Sequence, residues 1–366
     1  MAESPTVIVV GAGIVGASIA WHLVAAGAKV TVVDAAGAGG VATGRSFAWI
    51  NASWGNPEYY FRLRVRSMAD WRRLAATVPG IPIAWVGGLC WDLPPDQLLA
   101  YAQEHSSWGY GVRQVGPAEA ARIEPNLAEP PTLAVHVAEE AAVESADAAR
   151  AMLRDAEAHG AGLLLGTAVH ELRQAHGRIT GVGTSHGFLD ADEVVVAAGA
   201  GTAALQATTG FVLPMSAPPG LLVHTTRPHA RLLNGIVLAP EVHLRQTVEG
   251  RIVIGSDFGG TDPGMDPDAT ARTLFGQAQG MLKGGDGLEL DFHTVGHRPT
   301  PAGGFPAVGR PDGEAGLYVA VMHSGVTLAP VIGQLVAQEL LTGSRDPLLA
   351  PFAPPATGAV GAASGS

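Results

Sequence analysis

Cysteine is almost absent from this sequence. Cys90 is the single cysteine among 366 residues. A disulfide within the chain and a metal cluster held by cysteines each need at least two thiols, so both are excluded. Sparse cysteine fits a reducing compartment. We therefore expect a cytoplasmic protein in which Cys90 is a buried thiol.

Basic residues and long apolar runs are also scarce. The 22 Lys and Arg are outnumbered by 33 Asp and Glu, which gives a formal net charge of −11. A nucleic-acid binder needs an excess of basic side chains near phosphates, so this balance predicts no nucleic-acid partner. No apolar run approaches the roughly 20 residues that cross a bilayer. The initial MAESPT lacks the basic segment of a signal peptide, and we expect no membrane span.

The segment VIVVGAGIVGASIAWHLVAAGAKVTVVD, residues 7–34, has the pattern of a strand, a glycine turn, a helix and a second strand. Gly11 permits the tight turn, Gly13 lets the backbone approach a pyrophosphate, and Gly16 lets the helix pack against the strand. Asp34 ends the second strand, where its carboxylate can accept both ribose hydroxyls. The segment favours a dinucleotide site over a purely structural turn. Its predicted contacts are Gly11, Gly13, Ile14, Val15, Gly16, Asp34 and Ala35.

NAD and FAD share this first motif, so later segments must distinguish them. Three of these are GVATGRSFAWINASWG at 40–55, EVVVAAGAGT at 193–202 and GHRPTPAGGFPAVGRPDGEAGLYVAVMHSGVTLAP at 296–330. Together with the first motif, they resemble the D-amino-acid oxidase superfamily of FAD-dependent amine oxidoreductases, which includes glycine oxidase, sarcosine oxidase and D-amino-acid dehydrogenases. The resemblance covers most of residues 5–345. It implies non-covalent FAD, because the cysteine that sarcosine oxidases link to FAD has no counterpart in the closing segment.

The resemblance implies roles for residues of the segments 40–55 and 193–202. It also implies a role for Val169, which precedes the second of these segments. Trp49 and Asn51 would lie near the flavin ring or the substrate, although ordinary core packing explains a buried tryptophan equally well. The remaining implied contacts with FAD are Gly44, Arg45, Ser46, Ala48, Val169, Ala198 and Gly199.

The closing segment carries the implied catalytic residues. Arg298 matches the family arginine that pairs with a substrate carboxylate, and a guanidinium suits that task because it offers two parallel donors. A structural ion pair is the alternative role for Arg298. His323 would tune the site, or it is simply a hydrogen-bonded histidine beside the flavin. The implied flavin contacts at the following helix N-terminus are Gly325, Val326, Thr327 and Leu328.

Two further histidine-containing motifs lie between these segments. The resemblance implies substrate contacts for His243 and Arg245 in EVHLRQ. His293 and His297 stand four residues apart in HTVGH, but the Val-Gly interior and the following Arg-Pro indicate an extended chain. We therefore predict no metal site.

The pattern of strands and helices predicts an α/β (α+β) fold. A Rossmann-like FAD-binding domain would comprise residues 1–80, 140–210 and 296–350, because buried strands with glycine turns recur in these three segments. A mostly antiparallel β substrate domain with helices would comprise 81–139 and 211–295. The segment PFAPPATGAVGAASGS contains no charged residue, so residues 351–366 are expected to form a flexible tail.

The function predicted from these features is oxidation of the C–N bond of an amino acid or N-alkyl amino acid. Hydride transfer to FAD would give an imine, and oxygen or an unidentified acceptor would reoxidise the flavin. Two alternatives are an NAD-dependent dehydrogenase and a flavin-holding binding protein without turnover. A tRNA-modifying enzyme is disfavoured by the acidic charge.

Overall fold

The computed structural model describes residues 4–257 and 261–355. The helices of this part of the chain are α1 (Ile14–Ala25), α2 (Glu58–Thr77), α3 (Pro95–Ser107), α4 (Pro117–Ile123), α5 (Ser145–Ala158), α6 (Thr202–Gln206), α7 (Pro267–Met281) and α8 (Gly325–Thr342). Its strands are β1 (Thr6–Val10), β2 (Lys29–Asp34), β3 (Trp49–Ile50), β4 (Ile83–Ala84), β5 (Gly88–Cys90), β6 (Val112–Val115), β7 (Ala134–Val137), β8 (Ala141–Val143), β9 (Gly162–Leu165), β10 (Val169–Ala175), β11 (Arg178–Thr184), β12 (Gly187–Asp190), β13 (Glu193–Val196), β14 (Met215–Ser216), β15 (Pro219–Thr225), β16 (Ile236–Leu238), β17 (His243–Gln246), β18 (Ile252–Gly255), β19 (Leu290–His297), β20 (Thr300–Pro301), β21 (Ala307–Gly309) and β22 (Leu317–Val321).

A six-stranded sheet with the order β21-β22-β13-β1-β2-β9 carries the glycine turn. All neighbouring strands run parallel except β21, which pairs antiparallel with β22. Val7 and Val9 of β1 pack in one core with helices α1, α5 and α8. Ile8 and Val10 pack in a second core with β10 and β11. Both faces of β1 are therefore covered, which explains its continuous apolar sequence.

An eight-stranded sheet with the order β19-β15-β18-β17-β16-β5-β7-β6 forms the other large layer. Its pairs are antiparallel except β16 with β5. Alternate residues of its strands, including Leu221, Leu244 and Ile254, form a core with Leu274 of α7. The predicted combination of a parallel sheet and a mostly antiparallel β region is confirmed.

The strands of the two sheets follow the predicted domain segments. The six-stranded sheet uses strands within 1–80, 140–210 and 296–350, and the eight-stranded sheet uses strands within 81–139 and 211–295, apart from the last residues of β19. The domain boundaries themselves stay a prediction.

The predicted tail requires a correction at its start. Residues Pro347–Phe352 form a 3₁₀ turn, and Phe352 is 1% exposed. Its ring lies 5.7 Å from the ring of Tyr59 and 5.6 Å from that of Tyr60. The expectation of a flexible segment from residue 351 is therefore wrong for this aromatic anchor, and residues 356–366 lie outside the described residues.

One helix in the described ranges is long and apolar enough to cross a membrane by length and composition. This helix is α8, and 67% of the window concerned is buried inside the fold. Val331, Ile332 and Leu335 are at most 1% exposed within the core shared with α1. The apolar character of α8 is explained by its position as a core helix.

Candidate active site

A cavity of about 990 Å³ lies at the carboxyl ends of β1, β2 and β13. Parallel sheets with crossover helices bind nucleotides at this edge. Among the residues predicted from the sequence, those that line the cavity are Gly11, Gly13, Ile14, Val15, Asp34, Ala35, Arg45, Ser46, Ala48, Trp49, Asn51, Val169, Ala198, Gly199, His243, Arg298, His323, Gly325, Val326 and Thr327. The structure thus brings together residues from four separate parts of the sequence.

The glycine turn has room only for glycine at two positions. Gly11 has a φ of 115°, and a Cβ there would lie 2.4 Å from the carbonyl oxygen of Ala197. A Cβ on Gly16 would lie 2.0 Å from the carbonyl oxygen of Gly11, so Gly16 sets the close packing of α1 on β1 and does not line the cavity. The backbone of Gly13 remains open to the cavity. This turn fits the pyrophosphate of a dinucleotide.

Asp34 is held in a fixed orientation at the end of β2. Its Oδ2 accepts a hydrogen bond from the backbone N–H of Ala12 (2.7 Å). Its Oδ1 accepts from the backbone N–H groups of Ala36 (2.8 Å) and Gly37 (3.1 Å). A carboxylate has about four acceptor positions, so capacity remains for a ribose hydroxyl at the cavity wall.

The loop after β2 is fastened to the helix start by Thr43, a residue that the sequence did not single out. The backbone N–H of Ile14 donates to Thr43 Oγ1 (3.1 Å). The backbone N–H of Ala48 donates to Ser46 Oγ (3.1 Å), and Ala48 has a φ of 59°, which a non-glycine residue rarely adopts. Gly44 lies in this loop without lining the cavity.

Glu140 is a second site residue that the sequence did not reveal. It is 1% exposed, and its carboxylate accepts hydrogen bonds from Trp49 Nε1 (2.8 Å), Ser53 Oγ (3.1 Å) and Tyr110 OH (2.6 Å). Burial raises the pKa of Glu140 to about 7. Because Trp49 and Ser53 line the cavity, Glu140 fixes part of its wall from behind.

Arg298 and His323 are the residues of the closing segment that were predicted to be catalytic, and both line the cavity. The Nε of Arg298 is buried and has no hydrogen-bond partner among the described residues. Its Nη1 lies 3.8 Å from Asp257 Oδ1, an acid whose side chain is 61% exposed. Desolvation lowers the pKa of His323 to about 4, with contributions from the positive charges of Arg298 and Arg64. His323 is therefore a neutral imidazole at pH 7, within hydrogen-bond distance of Ser324 Oγ (3.1 Å).

The two predicted residues of EVHLRQ have different positions. His243 lines the cavity, and its Nε2 lies 3.0 Å from Asp92 Oδ2. Arg245 does not line the cavity, because its guanidinium pairs with both oxygens of Glu144 (3.0 and 3.2 Å). Its Nε also donates to the carbonyl oxygen of Phe47. Arg245 therefore supports the loop that carries Phe47, and its predicted contact with the substrate is corrected.

Three remaining predictions concern Leu328, the histidine pair and the cysteine. Leu328 is 0% exposed in the core and does not line the cavity, so its predicted contact with the flavin is corrected to core packing. His293 and His297 both lie on strand β19, so the predicted extended chain is confirmed. Cys90 is 4% exposed, and desolvation raises the pKa of its thiol well above the ordinary value. The prediction of a buried thiol is confirmed.

Comparisons with known proteins identify the family to which this chain belongs. A family model described as DAO, FAD dependent oxidoreductase, matches residues 6–339. A glycine oxidase from Pseudomonas aeruginosa is 30% identical over 375 residues, which cover 96% of this chain and 99% of that protein. The NAD-dependent alternative finds no support in these matches.

Solved structures show the same architecture. The crystal structure of glycine oxidase from Geobacillus kaustophilus matches with a TM-score of 0.86 and 25% identity, covering 96% of this chain and 99% of that one. Iminodiacetate oxidase from a Chelativorans species matches with a TM-score of 0.82 and 28% identity, covering 95% and 98%. The glycine turn, the carboxylate of Asp34 and the loop after β2 fit a flavin dinucleotide. The chain therefore belongs to the DAO family of FAD-dependent oxidoreductases, and FAD is its cofactor.

Proposed function

We propose that this enzyme oxidises the C–N bond of an amino acid or N-alkyl amino acid by hydride transfer, giving an imine. The observation that carries the proposal is Arg298, whose guanidinium lines the cavity with a buried Nε that has no hydrogen-bond partner among the described residues. A loosely paired guanidinium of this kind is suited to a carboxylate ligand. The matched glycine oxidase and iminodiacetate oxidase are named for amino-acid substrates, which supports the same substrate class here.

The residues of the chain have separate tasks in this proposal. The turn at Gly11 and Gly13, Asp34 and the loop with Arg45 and Ser46 would hold FAD, which supplies the hydride acceptor when bound. Arg298 would hold the substrate carboxylate and thereby orient the α-carbon. The N-terminus of α8 presents its backbone N–H groups at the cavity wall, where they favour negative charge.

The protonation of the site suits a neutral amine. A lone pair on the substrate nitrogen can expel the hydride from the adjacent carbon, so the step needs no strong base. His323 is neutral at pH 7 because its pKa is about 4, and it can accept or donate a hydrogen bond there. The chain would supply orientation and desolvation in this step.

The electron acceptor and the cellular location are further parts of the proposal. We infer that oxygen or a second electron acceptor reoxidises the reduced cofactor. Hydrogen peroxide formed in air, in proportion to substrate consumed, would identify oxygen. The cytoplasmic location is kept as a prediction, to be checked by fractionation of cells that express the protein.

Anaerobic mixing of the FAD-loaded enzyme with a panel of amino acids and amines tests the proposal. Loss of the flavin absorbance at about 450 nm detects a substrate whatever the natural acceptor. We expect loss of absorbance with amino acids or N-alkyl amino acids and little with amines that lack a carboxylate. A yellow protein that light can reduce but that no member of a wide panel reduces would contradict turnover and favour a flavin-holding protein.

A further inference from the structure

A second guanidinium, that of Arg64 on α2, lines the same cavity as Arg298. Arg64 is only 6% exposed. It donates from Nε to the carbonyl oxygen of Asn51 (3.0 Å), from Nη1 to Ser324 Oγ (3.1 Å) and from Nη2 to Asn51 Oδ1. All three acceptors are uncharged. None of the ion pairs found between described residues includes Arg64.

The charge of Arg64 acts on the buried carboxyl group of Glu140, but Glu140 is a poor counterion. Its two oxygens accept hydrogen bonds from Trp49, Ser53 and Tyr110. Because burial raises its pKa to about 7, Glu140 is only partly ionised near neutral pH. A buried cation without a matched counterion is unfavourable. An anion in the cavity would relieve this unfavourable charge.

Arg64 also keeps unused donors. A guanidinium has five N–H groups, and the three hydrogen bonds above use one on each nitrogen. Among the described residues, one N–H therefore remains unused on each terminal nitrogen and is available to an anionic ligand. The ring of Tyr60, 5.4 Å from Arg64 Cζ, and the bonds to Asn51 hold the guanidinium in place.

His323 connects the two guanidiniums of the cavity. Its Nδ1 lies 3.1 Å from Ser324 Oγ, the same oxygen that accepts from Arg64. The charges of Arg298 and of Arg64 both act on His323, so both guanidiniums lie within electrostatic reach of one imidazole. With His323 neutral, this end of the cavity carries the two positive charges of Arg64 and Arg298, and Asp257 lies 3.8 Å from Arg298 alone.

We propose that Arg64 and Arg298 are two anion sites of one substrate pocket, and that the preferred substrate is an amino acid with two carboxylates. Arg298 would hold one carboxylate and Arg64 the other. The second carboxylate would stand on the N-substituent or on the side chain of the amino acid. This inference rests on the proposed function, because it takes oxidation of an amino acid as given.

Anaerobic flavin reduction by matched substrate pairs provides the first test. Iminodiacetate against sarcosine varies a carboxylate on the N-substituent, and aspartate against alanine, each in both enantiomers, varies one on the side chain. The wild-type enzyme should favour the dicarboxylate of at least one pair. Arg64→Gln removes one partner of a buried charge pair. It should therefore lower the efficiency with the dicarboxylate, relative to the matched monocarboxylate, by about 30-fold or more. Arg64→Lys should give an intermediate ratio, because it keeps the charge but loses the planar set of guanidinium donors.

Arg66→Gln is the matched control, since Arg66 lies one half-turn away, is 40% exposed and pairs with Asp70. Its ratio should equal that of the wild type. Binding of unreactive ligands gives a readout other than turnover: glutarate should perturb the flavin spectrum of the wild type at lower concentration than butyrate does, and Arg64→Gln should remove the difference.

Several outcomes would overturn the inference. A wild-type enzyme that reduces its flavin with sarcosine or alanine at least as efficiently as with the dicarboxylates contradicts it without any variant. Equal losses for both members of a pair in Arg64→Gln would assign Arg64 to the support of Asn51 and Ser324. If no amino acid reduces the flavin, the proposed function itself fails, which is a different result from reduction by monocarboxylates alone.

Discussion

Replacing Glu140 by glutamine should change how the stability of the protein depends on pH. Burial raises the pKa of Glu140 from its ordinary value of 4.5 to about 7 in the folded protein. The folded state therefore holds this proton to higher pH than the unfolded state does. The stabilisation is complete below about pH 4.5 and is lost as the pH rises to about 7. A difference of about 2.5 pKa units corresponds to about 3 kcal/mol in the free energy of unfolding.

Glu140→Gln removes this titration and keeps the shape of the side chain. The three donors from Trp49, Ser53 and Tyr110 occupy both carboxylate oxygens, so a carboxamide NH₂ must face at least one of them. The hydroxyl oxygens of Ser53 and Tyr110 can accept from that NH₂, as they can from the protonated carboxyl group of the wild type. Between pH 5 and pH 8 the stability of the variant relative to the wild type should therefore rise by up to about 3 kcal/mol.

Urea-induced unfolding of the FAD-loaded enzymes, measured at pH steps from 5 to 8, gives the required comparison. Glu139→Gln is the matched control, because the neighbouring Glu139 is exposed and bonds only one backbone N–H, that of Gly111 (3.1 Å). The control should follow the wild-type pH dependence. Parallel pH dependence in Glu140→Gln and the wild type would refute the assignment of this titration to Glu140.

Three further predictions concern the cofactor and the loop that carries Phe47. Acid precipitation should release all FAD into the supernatant, because the closing segment has no cysteine and Cys90 is buried; colour that stays with the pellet would contradict non-covalent binding. Asp34→Ala should weaken FAD binding by about 1.5–3 kcal/mol, as expected for loss of a hydrogen bond to a charged group, while the relative efficiencies of substrates stay constant; unchanged FAD affinity in a titration would mean that Asp34 does not hold the ribose. Arg245→Ala should lower the free energy of unfolding by about 3–5 kcal/mol, because it leaves Glu144 without its partner, and an unaltered unfolding curve with a raised KM would return Arg245 to the substrate contacts.

The nucleotide-binding half of the site could be predicted because its determinants are local. The turn at Gly11, the helix from Ile14 and the carboxylate of Asp34 lie within one continuous segment, and each meets a steric or electrostatic requirement that sequence spacing expresses. Residues 58–78 likewise have apolar and charged residues at helical spacing, and α2 occupies Glu58–Thr77. Local patterns set these elements, so the structure changes them little.

The residues that were missed depend on contacts distant in sequence. Glu140 meets Trp49 across 91 residues, and Arg64 meets Ser324 across 260. A weak signal existed for both: Arg64 falls on the buried face of α2 with Phe61, and Glu140 stands between two apolar strands. Charged residues in apolar positions are expensive unless they have a function or a partner, but the sequence does not say which.

Arg245 shows the opposite error. Its segment was correctly expected to lie near the cavity, and His243 lines it. Arg245 pairs with Glu144, which is 101 residues away. An arginine next to a pocket can pair with a carboxylate of the protein as readily as with a ligand, and only the fold shows which of the two it faces.

The central claim is that Arg298 holds the carboxylate of an amino-acid substrate, and one comparison tests it directly. Anaerobic flavin reduction should be followed for wild type, Arg298→Lys and Arg298→Ala with a carboxylated substrate and with its decarboxylated amine, such as sarcosine and dimethylamine. Arg298→Lys loses the two parallel donors, and Arg298→Ala loses the charge as well. The efficiency with the carboxylated substrate should therefore fall stepwise, by about 30-fold to several thousand-fold in Arg298→Ala. The efficiency with the amine should change little, and FAD content should stay near that of the wild type. Equal losses with both substrates, or loss of FAD together with activity, would contradict the claim and assign Arg298 to a structural ion pair with Asp257.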